Sequence, residues 1–246
     1  MQINKFKKVG KSKYIIIFDN SEIILYEDII LKYDLLIKKS IDVDTLDQII
    51  EENKYYEAYH MSLNYIEIKM RNQKEIIKYL SQKGFKDNEI EYAVNKLNEL
   101  NLLNSSMYIH SFINDKINLT NEGPFKIKKQ LLELDFNETD IDEYLNTFEE
   151  EIWDEKIKKI IEKKKNLMKS KSYYMFINKI KNDLHNMGYS NEQIEKHLLN
   201  INYESNSLDK EFEKTLKKFK GDKNKIINSL LRKGYSYEEI KLKFNE

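Results

Sequence analysis

The chain contains no cysteine, one proline and six glycines in 246 residues. Without cysteine, it cannot form a disulfide scaffold, a thiolate zinc site or a cysteine nucleophile, and a reducing cytoplasm is a fitting location. Because proline and glycine are the residues that most strongly interrupt helices, their scarcity leaves most of the chain free to be helical. The composition therefore predicts a mainly α-helical protein.

Neither a net charge nor a long apolar run is present. Lys and Arg total 42, Asp and Glu total 42, and 40% of the residues are hydrophobic, which is too apolar for a disordered chain. The longest aliphatic runs, at residues 14–18 and 23–26, are far below the ~20 residues of a membrane span. Residues 1–10 show no apolar stretch followed by a small-residue cleavage site. We expect a cytoplasmic protein that does not associate with membranes.

No sequence pattern of an enzyme is found. The glycine-rich phosphate loops and the nucleophile elbow of α/β-hydrolases are absent from the sequence. Glu57 and His60 have the spacing of a helical metal-ligand pair, but such a site needs a second pair and further glutamates on facing helices. We therefore attribute this spacing to chance and expect no catalysis, metal or cofactor.

One pattern occurs four times, and we number it from an anchor residue in each copy. Isoleucine stands eight residues before and six after the anchor, leucine four before, an aromatic residue one after, and an apolar residue ten after. The anchors are Gly84, Asp135, Gly188 and Gly234, and the copies read Ile76, Leu80, Phe85, Ile90, Val94; Ile127, Leu131, Phe136, Ile141, Leu145; Ile180, Leu184, Tyr189, Ile194, Leu198; and Ile226, Leu230, Tyr235, Ile240, Phe244.

This pattern predicts two helices joined by a tight turn at the anchor. Glycine is favoured after a helix because the left-handed conformation costs it nothing, and aspartate tolerates that conformation. Ser190 with Gln193, and Ser236 with Glu239, are capping-box pairs for the following helix. Anchor spacings of 51, 53 and 46 residues are typical of stacked repeats whose apolar positions form the core.

The chain is predicted to be mainly α, with tandem three-helix repeats in an elongated curved array after a small N-terminal module that contains a β-hairpin. Residues 14–18 and 22–26 have the composition of two paired strands, and residues 28–33 and 44–52 that of short helices. Residues 55–70, 75–83 and 88–100 are the predicted helices of the first repeat. We predict a monomer with a cap at 1–50 and repeats at 51–104, 105–150, 151–203 and 204–246.

The balanced charge is separated into blocks. Residues 133–155 contain eleven acidic and no basic residues, whereas residues 156–181 contain ten lysines and one acidic residue, Glu162. A basic stripe of this kind could follow a phosphate backbone, or its lysines could pair with the preceding acidic helix. Tyr173 and Tyr174, beside Lys169 and Lys171, could stack on bases, although burial of at least one of them in the core is the preferred interpretation.

A family resemblance is carried mainly by residues 56–104. They read Tyr-Glu-Ala-Tyr-His-Met-Ser-Leu-Asn-Tyr-Ile, then Lys69-Met-Arg71, then Glu-Ile-Ile-Lys-Tyr-Leu-Ser-Gln-Lys-Gly-Phe from residue 75, and end in Leu-Leu-Asn at residue 104. This segment resembles the first repeat of the RecX family of recombination regulators. The resemblance extends to the preceding hairpin and to the following tandem units, so that it covers essentially the whole chain.

The resemblance implies a function that composition does not reveal. RecX-like proteins bind RecA filaments on single-stranded DNA and suppress ATP hydrolysis and strand exchange or promote filament disassembly. By this resemblance the partner is the RecA nucleoprotein filament, with single-stranded DNA as a further contact, and Lys69 and Arg71 are candidate contact residues. Lys163, Lys164 and Lys165 are additional electrostatic candidates. Two alternatives stay open, a helical nucleic-acid-binding module and a protein adaptor that acts independently of RecA.

Overall fold

The computed structural model describes residues 1–19, 21–168, 171–199, 201, 203 and 207–245. Within them the chain forms three β-strands followed by thirteen α-helices, as the mainly helical prediction requires. The chain divides into two compact units, Met1–Tyr108 and Ile109–Glu246.

A three-stranded antiparallel sheet opens the first unit. Its strands are β1 (Ile3–Lys8), β2 (Lys13–Phe18) and β3 (Glu22–Tyr26), with β2 in the centre. The predicted hairpin of β2 and β3 is confirmed, whereas β1 was not predicted. Most β1 residues are exposed, including its lysines, so the strand lacks a strong apolar alternation. A lysine-rich edge strand of this kind also discourages pairing with other chains.

Helices α1 (Glu27–Lys32) and α2 (Val43–Ile68) cover the sheet. The segments predicted as separate helices at 44–52 and 55–70 form one helix of 26 residues, because no glycine or proline stands between them. Leu46 and Ile49 of α2 belong to the core beneath the sheet, and Ala58 belongs to the next core. A single helix therefore joins two cores, and it runs through residues 50 and 51, where the predicted cap meets the predicted first repeat.

The remaining helices flank the four anchors. They are α3 (Gln73–Gln82), α4 (Asp87–Glu99), α5 (Ser105–Leu119), α6 (Pro124–Leu132), α7 (Glu138–Leu145), α8 (Glu150–Leu167), α9 (Tyr173–Asn186), α10 (Asn191–Leu198), α11 (Leu208–Lys218), α12 (Lys223–Arg232) and α13 (Tyr237–Asn245). Among the described residues, α2 to α13 thus succeed one another as four groups of three. The exact limits of the repeats stay a prediction.

Each anchor lies in the predicted turn with a left-handed backbone, at φ values of 87°, 65°, 89° and 80° in chain order. The isoleucines and leucines of the pattern are buried in every copy, with exposed fractions of 0 to 8%. Phe244 is only half-buried and packs beside the fourth core. The capping boxes of Ser190 and Ser236 are formed. The repeated pattern therefore marks the core and the turn of each group.

Candidate functional site

Lys69 and Arg71 lie in the short link between α2 and α3. Lys69 ends α2 in an extended conformation, with φ −159° and ψ 143°, and its side chain is exposed. Asn72 then begins α3, and its side-chain oxygen accepts a hydrogen bond from the Glu75 backbone N–H. The Arg71 side chain is 17% exposed. The two candidate residues therefore differ in accessibility, although they are two positions apart.

Arg71 is held in a stack of cations and aromatic rings. Its guanidinium carbon lies 4.0 Å from the ring centre of Tyr65, and that ring stacks on Tyr79 with centres 4.1 Å apart. Lys83 Nζ lies 5.7 Å from the centre of the Tyr79 ring. Guanidinium groups are attracted to aromatic faces by the ring quadrupole. We call Arg71, Tyr65, Tyr79 and Lys83 the arginine stack.

Glu75 anchors the arginine stack to the start of α3. Its Oε1 accepts from Arg71 Nη1 at 3.2 Å, and its Oε2 accepts from the Asn72 backbone N–H at 3.0 Å. Tyr108 donates its hydroxyl to the same Oε2 at 3.3 Å. Burial, followed by the charge of Glu75, raises the pKa of Tyr108. Arg71 Nε is buried without a hydrogen-bond partner among the described residues. One carboxylate thus binds a helix start, a guanidinium and a tyrosine.

Sequence reasoning did not find Tyr65, Tyr79 and Glu75. The Asn72-x-x-Glu75 spacing is a recognisable capping box, so the role of Glu75 at the helix start had a sequence signal. The stacking of Tyr65 on Tyr79 had none, because it depends on how α2 and α3 pack together.

The lysines of α8 lie in the second unit and are engaged to different extents. Lys163 is exposed and forms no ion pair within the described part of the chain. Lys164 contacts Asp183 of α9, and Lys165 Nζ lies 3.9 Å from Glu162. Although burial raises the pKa of Asp183, hydrogen bonds from Lys164 and Lys179 outweigh it and the net pKa is lowered. Lys163 is thus the most available cation of the three.

Pairing with the acidic block, one of the two interpretations of the basic stripe, is seen for Lys159. Lys159 pairs with Glu155 at 3.6 Å, and from a later helix Lys196 binds Asp154 at 2.7 Å, so part of the acidic block is neutralised. The partner of Lys164 lies in α9 rather than in the acidic block. His197 also contacts Asp154, at 2.7 Å, a pairing not predicted from the sequence.

Tyr173 and Tyr174 are 46% and 64% exposed, so the preferred core interpretation was wrong. The buried aromatic of this helix is Phe176, which stacks on Tyr203 with ring centres 4.0 Å apart. Both exposed tyrosines line a groove beside Gly234. Lys171 is exposed, and Lys169 lies outside the described residues.

The structure assigns a packing role to His60 of the spaced pair Glu57 and His60. His60 Nε2 lies 2.9 Å from Asp28 Oδ2, and its ring stacks on Tyr26 at 4.5 Å. In the described ranges, no group of three or more histidine, aspartate and glutamate side chains could hold a metal ion. The helices described include none with the length and apolar character to cross a membrane.

The sequence of this chain is similar to a known family model and to named proteins. The family model described as RecX, first three-helix domain, matches residues 58–97, which lie within α2, α3 and α4. A protein of Streptococcus agalactiae serotype V named Regulatory protein RecX is 29% identical over 260 residues, covering 100% of this chain and 99% of that protein. A protein of the same name from Halalkalibacterium halodurans is 28% identical and covers 89% of this chain and 87% of its own length. Together these matches support a RecX-family protein.

Solved structures of the family share the fold. A crystal structure of regulatory protein RecX superposes with a TM-score of 0.68 at 23% identity, covering 80% of this chain and 98% of that one. The structure of RecX from Lactobacillus salivarius matches at a TM-score of 0.54 and 26% identity, covering 60% of this chain and 96% of that one. The relatives are named regulatory proteins rather than enzymes, and these names support a regulatory role for this chain.

Proposed function

We propose that this protein is a non-enzymatic, cytoplasmic regulator of homologous recombination and DNA repair, including the SOS response. In this proposal it binds RecA filaments on single-stranded DNA as a monomer and mostly inhibits RecA ATP hydrolysis and strand exchange. The observation that carries the proposal is the match, over 100% of this chain, to a protein named Regulatory protein RecX. No cofactor or metal is required for a regulator that acts by binding.

Charge supports RecA as the main contact and DNA as a secondary one. The formal net charge is zero, so the protein as a whole has no excess of cations to attract a phosphate backbone. Local cations remain, and each phosphate that a lysine neutralises would add sequence-independent, salt-sensitive affinity. We assign this contribution to Lys163, with Lys164 and Lys165 contributing less because they already have acidic partners.

At the first repeat we assign contact with the partner to Lys69 and Arg71. Lys69 is exposed and can reach a partner without leaving another group unpaired. Arg71 would present the edge of its guanidinium while its face stays on Tyr65. Because arginine offers several N–H donors in a rigid plane, a guanidinium fixed in this way suits a partner carboxylate or phosphate.

The deciding experiment is the rate of single-stranded-DNA-dependent ATP hydrolysis by RecA of the same organism, titrated with this protein at two salt concentrations. Inhibition well below one molecule per RecA protomer supports a regulator that acts on the filament. The loss of inhibition at higher salt measures how far charge contributes. Unchanged hydrolysis with intact filaments would contradict the proposal, and DNA binding without RecA would then separate a nucleic-acid module from an adaptor.

A charge-matched pair of variants tests the contact residues in the same assay. Lys69→Ala with Lys163→Ala removes one proposed contact from each unit. Lys5→Ala with Lys241→Ala removes one exposed lysine from each unit at positions to which we assign no contact. We expect the first double variant to need more protein for half-inhibition and the second to behave as the unmodified chain. Equal behaviour of the two would contradict the assignment of Lys69 and Lys163.

A further inference from the structure

Inside the second unit, successive repeats touch through the same kind of contact twice. Gly123, the residue before α6, donates its backbone N–H to the Met187 carbonyl at 2.7 Å. Ser172, the residue before α9, donates its hydroxyl to the Lys233 carbonyl at 2.7 Å. In both cases the acceptor is the residue just before an anchor glycine. We call the anchor and the residue before it the anchor turn. The start of the second helix of one repeat thus docks on the anchor turn of the next repeat.

Close packing accompanies these hydrogen bonds. A Cβ on Gly188 would lie 2.4 Å from the Lys126 nitrogen, and a Cβ on Gly234 would lie 2.8 Å from Ser172 Oγ and 3.0 Å from Tyr174 Cδ1. The distances to the Lys126 nitrogen and to Ser172 Oγ are shorter than real Cβ contacts. Glycine is therefore needed at these anchors for close approach as well as for the left-handed backbone.

The docking helices also share an aromatic residue at their second position. It is Phe125 in α6 and Tyr174 in α9. Phe125 lines one groove with Gln193, and Tyr174 lines another with Glu239. Gln193 and Glu239 both stand five residues after their anchors. The aromatic side chain therefore lies beside the start of the next repeat's third helix in both contacts.

The first anchor turn has the same geometry but lacks this neighbour. Gly84 has φ 87°, and a Cβ placed on it would meet no heavy atom within 4 Å among the described residues. A groove runs past Gly84, Phe85, Lys86 and Glu89, which correspond to Gly234, Tyr235, Ser236 and Glu239 of the last groove. The positions of Tyr173 and Tyr174 in that last groove have no counterpart here. The turn at Gly84 therefore has the geometry of the two docking turns, but no helix start of the described residues docks on it.

We propose that the anchor turn at Gly84 binds the N-terminus of a helix from a partner protein. The two internal contacts define the chemistry of the partner segment. Its residue before the helix donates an N–H or hydroxyl group to the Lys83 carbonyl, and its second helical residue is aromatic. Lys54, Lys83 and Lys86 line this groove together with Glu57 and Glu89, so the groove carries both signs of charge. The partner segment is thus defined by its donor and its aromatic residue, as in α6 and α9, whose first turns contain no acidic residue.

A partner protein fits this site better than a second copy of the chain. The helix starts with the required aromatic, at α6 and α9, are already engaged inside the second unit. Helix α12 begins after Asp222 and has Asn224 at its second position, so it lacks the aromatic. This inference goes beyond the proposed function, because it concerns which structure is bound and holds whether or not RecA supplies it.

The test uses the ¹⁵N-labelled full chain and a synthetic peptide of residues 172–186, which begins with Ser172 and the two tyrosines of α9. We expect saturable shifts of the Gly84, Phe85 and Lys86 amide signals as peptide is added. Gly84→Asn should abolish them, since asparagine tolerates a left-handed backbone but places a side chain in the groove. A peptide with Tyr174→Ser should bind about five- to tenfold more weakly.

Gly221→Asn is the matched control. Gly221 also has a left-handed backbone, at φ 82°, and open space around it, but no anchor pattern surrounds it. This variant should retain the shifts at Gly84. Absent shifts, or unchanged shifts in Gly84→Asn, would overturn the proposal. Shifts at Gly84 that grow with protein concentration in the absence of peptide would identify a second copy as the occupant. None of these outcomes alters the RecA ATPase assay, so the two proposals fail separately.

Discussion

Ser172 and Lys233, 61 residues apart in sequence, are joined directly by a hydrogen bond of 2.7 Å from the serine hydroxyl to the lysine carbonyl. The same hydroxyl accepts a bond from the Met175 backbone N–H at 3.4 Å, which caps α9. Ser172 is 1% exposed. The Ser172 side chain therefore caps α9 and connects two repeats at a buried position.

Ser172→Ala should destabilise the second unit more than the loss of an ordinary helix cap. A lost cap costs ~1 kcal/mol, and the partly buried Lys233 carbonyl left without its donor costs about 1 kcal/mol more. The measurement is urea unfolding followed by the fluorescence of Trp153, the single tryptophan of the chain, which is buried in this unit. Ser236→Ala, which removes an exposed cap without a bond between repeats, should cost ~1 kcal/mol. Equal costs would contradict the connecting role of Ser172.

Gly188→Ala should be far more disruptive than Gly221→Ala, although both glycines have left-handed backbones. At Gly221 the new methyl group meets open space, so the cost is the left-handed conformation alone, ~1–2 kcal/mol. At Gly188 the methyl group would stand 2.4 Å from Lys126 N, and the resulting displacement adds ~1–3 kcal/mol or more. Urea unfolding with the Trp153 signal measures both, and similar midpoints would argue against the close contact of Gly188 with α6.

The anchor glycines illustrate how much of the fold the sequence predicted. Periodic isoleucines and leucines, a turn residue and a capping serine recur at fixed offsets, and each has a local physical reason, so core and turn were predictable. The contact of Gly188 with the start of α6 was not, because Phe125, whose N–H donates to the Gly188 carbonyl, stands 63 residues earlier in the sequence. Local patterns report the conformation of a turn, and they do not report what packs against it.

The N-terminal module and the candidate site show the same limit. Strands β2 and β3 were predicted from their β-branched runs, while β1 was missed because Lys5, Lys7 and Lys8 interrupt its apolar pattern. Lys69 and Arg71 were predicted from a resemblance, and the sequence offered no means of telling that one is exposed and the other is covered by Tyr65. That difference arises from the packing of α2 against α3.

Asp154 should make the second unit sensitive to acid. Although burial raises its pKa, hydrogen bonds from Lys196 and His197 outweigh that effect and lower the pKa below the ordinary value of 3.8. A carboxyl group with a lowered pKa stabilises the folded state above its ordinary pKa, and this stabilisation is lost as pH falls through the lowered value. Thermal unfolding of Asp154→Asn should therefore show a lower midpoint than the unmodified chain at pH 7.

The difference between these two proteins should shrink as the pH falls below about 4, because the unfolded chain then binds a proton at Asp154 before the folded chain does. Asp115→Asn, at an exposed position of α5, is the control and should leave the midpoint unchanged throughout. A difference for Asp154→Asn that stays constant from pH 7 to pH 3 would show that the charge of Asp154 does not contribute to stability.

Arg71→Ala should weaken inhibition of RecA by more than its effect on folding explains. The substitution removes the stack on Tyr65 and the bond to Glu75, which lowers the stability of the first unit by ~1–2 kcal/mol. Tyr65→Leu removes the same stack but keeps the guanidinium charge, so it serves as the matched variant. Thermal unfolding by circular dichroism gives the stability of each, and half-inhibition of RecA ATP hydrolysis gives the activity.

If Arg71 contacts the partner, inhibition falls in Arg71→Ala and largely survives in Tyr65→Leu, even where both unfold at a lower temperature. Arg71→Lys sharpens the comparison, because it keeps a positive charge and loses the planar group that fits both Tyr65 and a carboxylate or phosphate. Partial inhibition by Arg71→Lys would indicate that charge is recognised. Equal loss of inhibition in Arg71→Ala and Tyr65→Leu, in proportion to stability, would instead mean that Arg71 acts by fixing the link between α2 and α3.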